Sequence, residues 1–556
     1  MQVKVCELIV RYMERIGVET IFGMPGAHIL PVYDQLYDSS IQSVLVKHEQ
    51  GAAFMAGGFA RASGKIGACI TTAGPGATNL VTGIANAYAD KLPVLVITGE
   101  APTYVFGKGG LQESSGEGGS IDQGKLFAGI SRYHKMIERT DYLGNVLNNI
   151  SKILFSETSG PVILSLPFNI QNETVDDAIL DTIKTRGKPA TCQADDSDMK
   201  IFADHLMAAE KPVIICGYGC IKSGAQTLVR QLSEQLNIPV TSSLKGKGSI
   251  DETSSHSLGS LGVTSSGYAC EYITQQADLI IILGAAFNER TSYLWDKTLL
   301  KAKKIIQVDI NEQQLEKVYL ADLVIHADIK QTLLALQATL QTFNPVKKQL
   351  DNLPEFKRQQ QQQADQSGHR IFNDDFGLIR HFYHLLNTRI TENAIIVDDN
   401  IIFAQNFFQV LASIQYLPNS GISSLGHAIP AAIGAQFAEQ KTAFVIIGDG
   451  GFQMCCMELM TAVNYNIPLN VIIINNNTMG LIRKNQVQTY QQRFINCDFI
   501  NPDYALLAKS FGIHYFHIKD ENASKDFFAQ ADLKKAINLI EIPLDKNAFP
   551  NYSSRR

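Results

Sequence analysis

The sequence predicts an α/β protein made of three doubly wound, parallel-sheet domains, and two observations carry that expectation. Short runs rich in Val, Ile, Leu and Ala alternate with helix-like stretches along the whole chain, the pattern of parallel strands joined by helical crossovers. Two polar stretches then cut the 556 residues into three blocks, and a chain of that length is too long for one hydrophobic core.

The first block covers 1–175. It opens on a charged amphipathic stretch, MQVKVCELIVRYMERIG, which lacks the unbroken apolar segment of a signal peptide. Strand-like runs follow at 41–46, 67–73, 92–99 and 160–167, with a helix-like stretch at 51–63. Residues 171–197 are polar and read as a linker. The second block, 198–342, repeats the pattern at 211–219, 277–286 and 303–310. From 343 to 373 the chain turns polar, includes the run Gln359 to Gln363, and reads as a linker wrapping the surface. The third block, 374–556, has strand candidates at 394–399, 443–450, 469–477 and 539–544.

Composition excludes several classes. A chain that is 45% hydrophobic and 18% charged, with a net charge of −6, is an ordinary globular protein without a basic face for nucleic acid or a membrane surface. It has no apolar run long enough to span a bilayer. Nine cysteines, an odd number with no CxxC pair, suit reduced thiols in a cytoplasmic protein better than a disulfide scaffold or a zinc site.

The most informative segment closes the buried strand at 443–447 with Gly448-Asp449-Gly450. A second strand, LNVIIINNN, ends at Asn475-Asn476, with 24 residues (451 to 474) between the two motifs. Ligands of open parallel sheets bind beyond the carboxyl ends of strands, so this spacing sets a carboxylate beside a carboxamide. Hard oxygen donors of that kind suit magnesium, which also recruits substrate phosphates. Gly448, Gly450 and Gly451 let a diphosphate approach the backbone, and the helix that follows points its N-terminus at such anions. Either motif alone would be an ordinary strand-to-helix turn or loop. In the first block, Glu49 stands between a strand and a helix, where an isolated glutamate simply favours the helix dipole.

Together, GDG, about two dozen residues and NN resemble the thiamine diphosphate signature of the 2-oxo-acid decarboxylase and acetolactate synthase superfamily. The resemblance implies that Asp449, Asn476 and the Thr478 carbonyl bind magnesium. VKHEQGAAFMAGGFAR resembles the segment bearing the glutamate that activates the cofactor through its aminopyrimidine, which makes Glu49 the catalytic candidate. FGMPGAHILPVYD and TTAGPGATN resemble further family motifs, with Gly26, Thr72 and Asn79 as pyrimidine-side contacts. GISSLGHAIPAAIGA resembles the segment that supports the bent cofactor, with Leu425 under the bend where acetolactate synthases usually have Met. The same resemblance implies an active site between subunits, hence a homodimer or homotetramer.

Within the superfamily, acetolactate synthase fits best and nearly the whole chain is covered. Leu111-Gln112-Glu113 is similar to that family's substrate-side Phe-Gln-Glu, giving Gln112 a place in the reaction chamber. The superfamily's simple decarboxylases carry a His-His pair that delivers a proton; this chain has no such pair. The implied reaction decarboxylates pyruvate and joins the two-carbon unit to a second 2-oxo acid, giving 2-acetolactate. A decarboxylase, oxidase or specialised carboligase acting on another 2-oxo acid is the alternative.

Several positions depart from the family. Asn485 stands where biosynthetic enzymes have a Trp that shapes the acceptor pocket, which weakens any preference for 2-oxobutyrate. Ala286-Phe287-Asn288-Glu289-Arg290 replaces the Arg-Phe-Asp-Asp-Arg of FAD-binding versions, so FAD is the less favoured addition to thiamine diphosphate and Mg2+. Asn400-Ile401-Ile402 replaces the Gly-Gln-His or Gly-Ser-Phe diphosphate loop. Ser114 to Lys125 is a Gly/Ser-rich insertion, either a disordered surface loop or a lid that alters acceptor choice.

Overall fold

A computed structural model describes residues 1–185, 193–343, 347–366 and 371–552. Cys192 and parts of both polar linkers lie outside the described residues. Three parallel six-stranded sheets, each flanked by helices, carry the chain. Numbering the strands of each sheet in chain order, the first sheet (Thr20–Gly23, Gln42–Leu45, Gly67–Thr71, Val94–Glu100, Tyr133–Met136, Val162–Pro167) runs 2-1-3-4-6-5. The last sheet (Ala394–Asp398, Ile414–Pro418, Thr442–Gly448, Leu469–Asn475, His514–His517, Ile537–Pro543) has the same order. The central sheet (Pro212–Cys216, Val240–Ser242, Ser257–Ser260, Leu279–Leu283, Lys304–Asp309, Leu323–His326) runs 3-2-1-4-5-6, the dinucleotide-fold order.

The first and last sheets are joined by one seam. Each sheet sends a helix from its second strand, Glu49–Ser63 and Ala428–Ala438, and both are apolar nearly all round. A helix of that kind must be buried on every side, and these two bury against one another. A Cβ at Gly58 would overlap the Ala431 carbonyl, and one at Gly434 would overlap the Met55 carbonyl. The backbones therefore meet directly, and one apolar core runs from Phe22 and Val44 in the first sheet to Val397 and Val445 in the last.

The described parts of both polar stretches contain regular structure. Thr174–Asp176 pairs antiparallel with Gln2–Lys4, sewing the end of the first block to its start. Leu353–Gln366 is a helix that includes the glutamine run, because glutamine is a good helix former and Leu353 offers an apolar anchor. Leu353 is buried, with Leu350 and Phe356 half-buried beside it, against one face of the central sheet, and Asp351 accepts from Tyr272 Oη at 2.7 Å and pairs with Lys211 at 2.9 Å.

Candidate active site

In the last sheet, the third and fourth strands end side by side. Gly448 closes the third strand in extended backbone, and Asp449 opens the helix Asp449–Cys455. The Asp449 carboxylate is only 2% exposed, and its two oxygens differ. Oδ2 accepts from Asn476 N at 3.1 Å, Asn477 N at 2.6 Å and Asn501 Nδ2 at 2.8 Å. Oδ1 accepts from Gly450 N at 3.0 Å. Burial pushes the Asp449 carboxyl above its ordinary range, and these hydrogen bonds pull it back.

Asn477 adopts a left-handed conformation (φ 54°), so the chain turns sharply after the fourth strand. Asn476 Oδ1 accepts from Thr478 N at 3.3 Å, and Thr478 Oγ1 donates to the Cys497 carbonyl at 2.9 Å. Space beside the acid is tight: a Cβ at Gly451 would lie 2.5 Å from the fixed Asp399 Oδ2, and one at Gly450, 2.6 Å from Met479 Sδ, would push that flexible side chain aside. Leu425, Gly448, Asp449, Gly450, Gly451, Asn476 and Thr478 line one cavity of about 330 Å³, together with Asp399, Asn400, Ile401 and Ile402. A carboxylate, a carboxamide and nearby backbone groups form an all-oxygen donor set, and the glycine turn leaves backbone open to an anion. The residues present fit a magnesium-diphosphate group.

Asp399 was not singled out from the sequence. It is fully enclosed, accepting from Gly426 N at 2.8 Å, His427 N at 3.2 Å and Asn419 Nδ2 at 3.2 Å. It thereby fixes the backbone that immediately follows Leu425. Its carboxyl is pushed up to about 7 by burial, and the Asp398 carboxylate adds to the effect.

The first sheet carries a second group. Glu49 begins its helix and is buried, and Asn79 Nδ2 donates to its Oε2 at 2.9 Å. The turn before it is held from the last sheet's side: Glu458 Oε1 accepts from Lys47 N at 3.1 Å and His48 N at 3.0 Å. Gly26 lies flat on Thr72, whose side chain a Cβ would meet at 2.5 Å. Thr72 Oγ1 donates to Gln112 Oε1 at 3.4 Å, and His28 Nδ1 is 3.2 Å from the same oxygen. Thus Gly26, Thr72 and Gln112 form one cluster, to which the structure adds His28.

Gln112 stands at φ 56° at the mouth of the inserted segment. That segment is a folded loop rather than a disordered one. Glu113 accepts from Gly107 N at 2.6 Å, Gly110 N at 2.9 Å and Ser115 Oγ at 2.6 Å, and Ser115 bridges to Asp122. Its far end becomes the helix Gln123–Ala128, where buried Gln123 donates to Ser165 Oγ at 2.7 Å.

Within one chain the two groups stay apart: neither Glu49 nor Gln112 lines the Asp449 cavity. A larger cavity of about 650 Å³ lies between the central sheet and its neighbours, with Ala286 to Arg290 along its wall. Arg290 borders both cavities, its Nη1 3.5 Å from Asn400 Oδ1.

Comparison with known proteins settles the family. Residues 3–119 match the thiamine pyrophosphate enzyme N-terminal TPP binding domain, 199–336 the central domain, and 399–542 the C-terminal TPP binding domain. A probable acetolactate synthase large subunit of Methanocaldococcus jannaschii is 34% identical over 98% of this chain and 92% of its own. The acetolactate synthase large subunit of Lactococcus lactis is 32% identical, covering 97% and 92%. That of Escherichia coli isozyme 2 is 30% identical, covering 96% and 94%. The chain belongs to the acetolactate synthase family of thiamine pyrophosphate enzymes. As a member of the acetolactate synthase family it has Glu49 and Gln112 inside the N-terminal TPP binding match, and Leu425, Asp449, Asn476 and Thr478 inside the C-terminal one. Among the described residues, no helix is long and apolar enough to cross a membrane.

Proposed function

We propose that this enzyme forms 2-acetolactate: one pyruvate loses CO2, and its remaining two-carbon unit bonds to the keto carbon of a second pyruvate. The observation that carries this reading is the Asp449 cavity, a buried carboxylate and carboxamide at adjacent strand ends beside Leu425, in a chain related end to end to acetolactate synthases.

The work divides among three domains, 1–175, 198–342 and 374–556. In the last, the Asp449 and Asn476 side chains and the Thr478 carbonyl would hold Mg2+, and the Gly448 to Gly451 backbone would take the diphosphate. Leu425 would pack against the cofactor from the cavity wall, beside backbone that Asp399 fixes. When bound, thiamine diphosphate supplies the electron sink that makes loss of CO2 feasible. Glu49, oriented by Asn79, holds and returns a proton at the aminopyrimidine ring. Gln112, braced by Thr72 and His28, faces the substrate.

Because Glu49 and the Asp449 cavity are separate halves in one chain, the complete site forms in a homodimer, which can pair into a tetramer. Asn485 in place of a bulky Trp favours pyruvate over 2-oxobutyrate as acceptor. Thiamine diphosphate and Mg2+ suffice for this chemistry, and with Ala286 in the family's first arginine position we assign FAD no part in it. Its cysteines suit a reducing, cytoplasmic setting.

The test is product analysis by NMR after incubating purified protein with thiamine diphosphate, Mg2+ and pyruvate alone. Acetolactate, or acetoin after acidification, is the expected product. Acetaldehyde or acetate in its place would make the chain a decarboxylase or an oxidase.

A further inference from the structure

Asn501 lies 25 residues beyond the NN motif, outside every pattern in the sequence that suggests chemistry, yet its carboxamide sits at the centre of the Asp449 cradle. Its Nδ2 is 2.8 Å from Asp449 Oδ2, 2.8 Å from Asn475 Oδ1 and 3.1 Å from Asn477 Oδ1. Its own oxygen accepts from Gln453 Nε2 at 2.6 Å, on the helix that Asp449 opens. One side chain thus ties together the GDG turn, the NN turn and the helix between them.

The segment carrying Asn501 is itself clamped. Arg483 Nη1 pairs with Asp498 at 2.9 Å, Arg483 Nη2 donates to Asn547 Oδ1 at 2.9 Å, and Phe499 N donates to the Asn477 carbonyl at 3.2 Å. Asn501 is therefore presented on fixed backbone. Its effect falls on the two oxygens of Asp449 unequally. Oδ2 takes three donors, while Oδ1 takes one.

We propose that Asn501 is a positioning residue that saturates Asp449 Oδ2 and so reserves Oδ1 as the single carboxylate oxygen offered to magnesium. This rests on the assignment of Asp449 as a metal ligand. The expected consequence is selectivity. Magnesium demands near-ideal octahedral geometry and is served by a one-oxygen carboxylate, whereas calcium readily takes a carboxylate through both oxygens. Partners that orient a metal's ligands typically set affinity by about 10–100-fold.

The experiment is calorimetric titration of Mg2+ and of Ca2+ into the protein holding thiamine diphosphate, for wild type, Asn501→Ala and Asn501→Asp. Both variants are expected to bind Mg2+ about 10–100-fold more weakly, with Ca2+ affinity falling less, so that the preference for Mg2+ narrows. Gln453→Ala removes only the anchor of Asn501 and is expected to shift Mg2+ affinity in the same direction by less; it serves if the Asn501 variants do not fold. Unchanged Mg2+ affinity in every folded variant would overturn the proposal. Equal losses for the two cations would also overturn it, since that is what loosened structure alone would give. No Mg2+ binding by the wild type would instead remove the metal assignment on which it rests.

Discussion

The first and last sheets of this chain share one strand order, 2-1-3-4-6-5, and send matching helices into one seam, yet their carboxyl ends carry different chemistry. After the first strand stands Gly26 in one and Asp399 in the other. After the third stands Thr72 in one and Asp449 in the other. The helix from the second strand begins with Glu49 in one, and follows the apolar Leu425 and His427 in the other. In both sheets these positions flank the point where strand order reverses, the usual ligand crevice of such folds. The sheet supplies a place, and the few residues at strand ends decide what that place does.

Disabling one end at a time separates the roles of the two sheets. Glu49→Gln keeps the shape and the Asn79 contact but removes the ionisable group, so kcat is expected to fall about 10²–10⁴-fold. Binding of thiamine diphosphate and Mg2+, read by calorimetry, should be nearly unchanged. Full turnover in that variant would sink the assignment. The same experiment on Asp449→Ala should give the opposite pattern, with Mg2+ binding lost first.

The seam comes next in size. Gly434→Ala drives a methyl group into the Met55 carbonyl, and overpacking of this kind costs about 1–3 kcal/mol. Thermal melts should show a clear drop in Tm for Gly434→Ala, and none for alanine at Gly129, where nothing lies within 4 Å.

A smaller, pH-dependent difference belongs to Asp399. Burial pushes its folded carboxyl up to about 7, well above the ordinary carboxylate range, so between about pH 4 and 7 the folded protein holds a proton that the unfolded chain has released. That contribution is complete below about pH 4 and is lost as pH rises through 7. Asp399→Asn should therefore melt relatively better at pH 8 than at pH 5 when each is compared with wild type. A pH-independent difference would show that Asp399 is ionised throughout. Least of all should change in Leu425→Met, a near volume-conserving swap expected to cost under about 1.5 kcal/mol and to leave turnover close to wild type.

How much of this was legible in the sequence varied with length and burial. Long central strands such as Val94–Glu100 and Leu469–Asn475 are buried at nearly every position and stand out as apolar runs. His514–His517 is a half-exposed edge strand of four residues, and Val240–Ser242 has only three, too short to show a period. The Asp449 cradle was readable because its residues lie together at two strand ends. Asn501, Glu458 and His28 were not, since each reaches its partner through a fold contact that local spacing does not encode. Asp399 was visible as the second acid of AIIVDD, but only burial explains its importance. The glutamine run read as a linker by its polarity, while its helix depends on a few apolar contacts from Leu353 and Phe356.

The most direct test of the divided site is complementation between two broken subunits. Glu49→Gln and Asp449→Ala chains, each inactive alone, would be co-expressed and the mixed oligomers assayed with pyruvate. If the first sheet of one chain completes the last sheet of another, random pairing leaves one intact site in each mixed dimer, and activity returns to about a quarter of wild type. If the mixture stays as inactive as its parents, the two ends do not meet across a subunit interface, and the division of labour between the matching sheets is wrong.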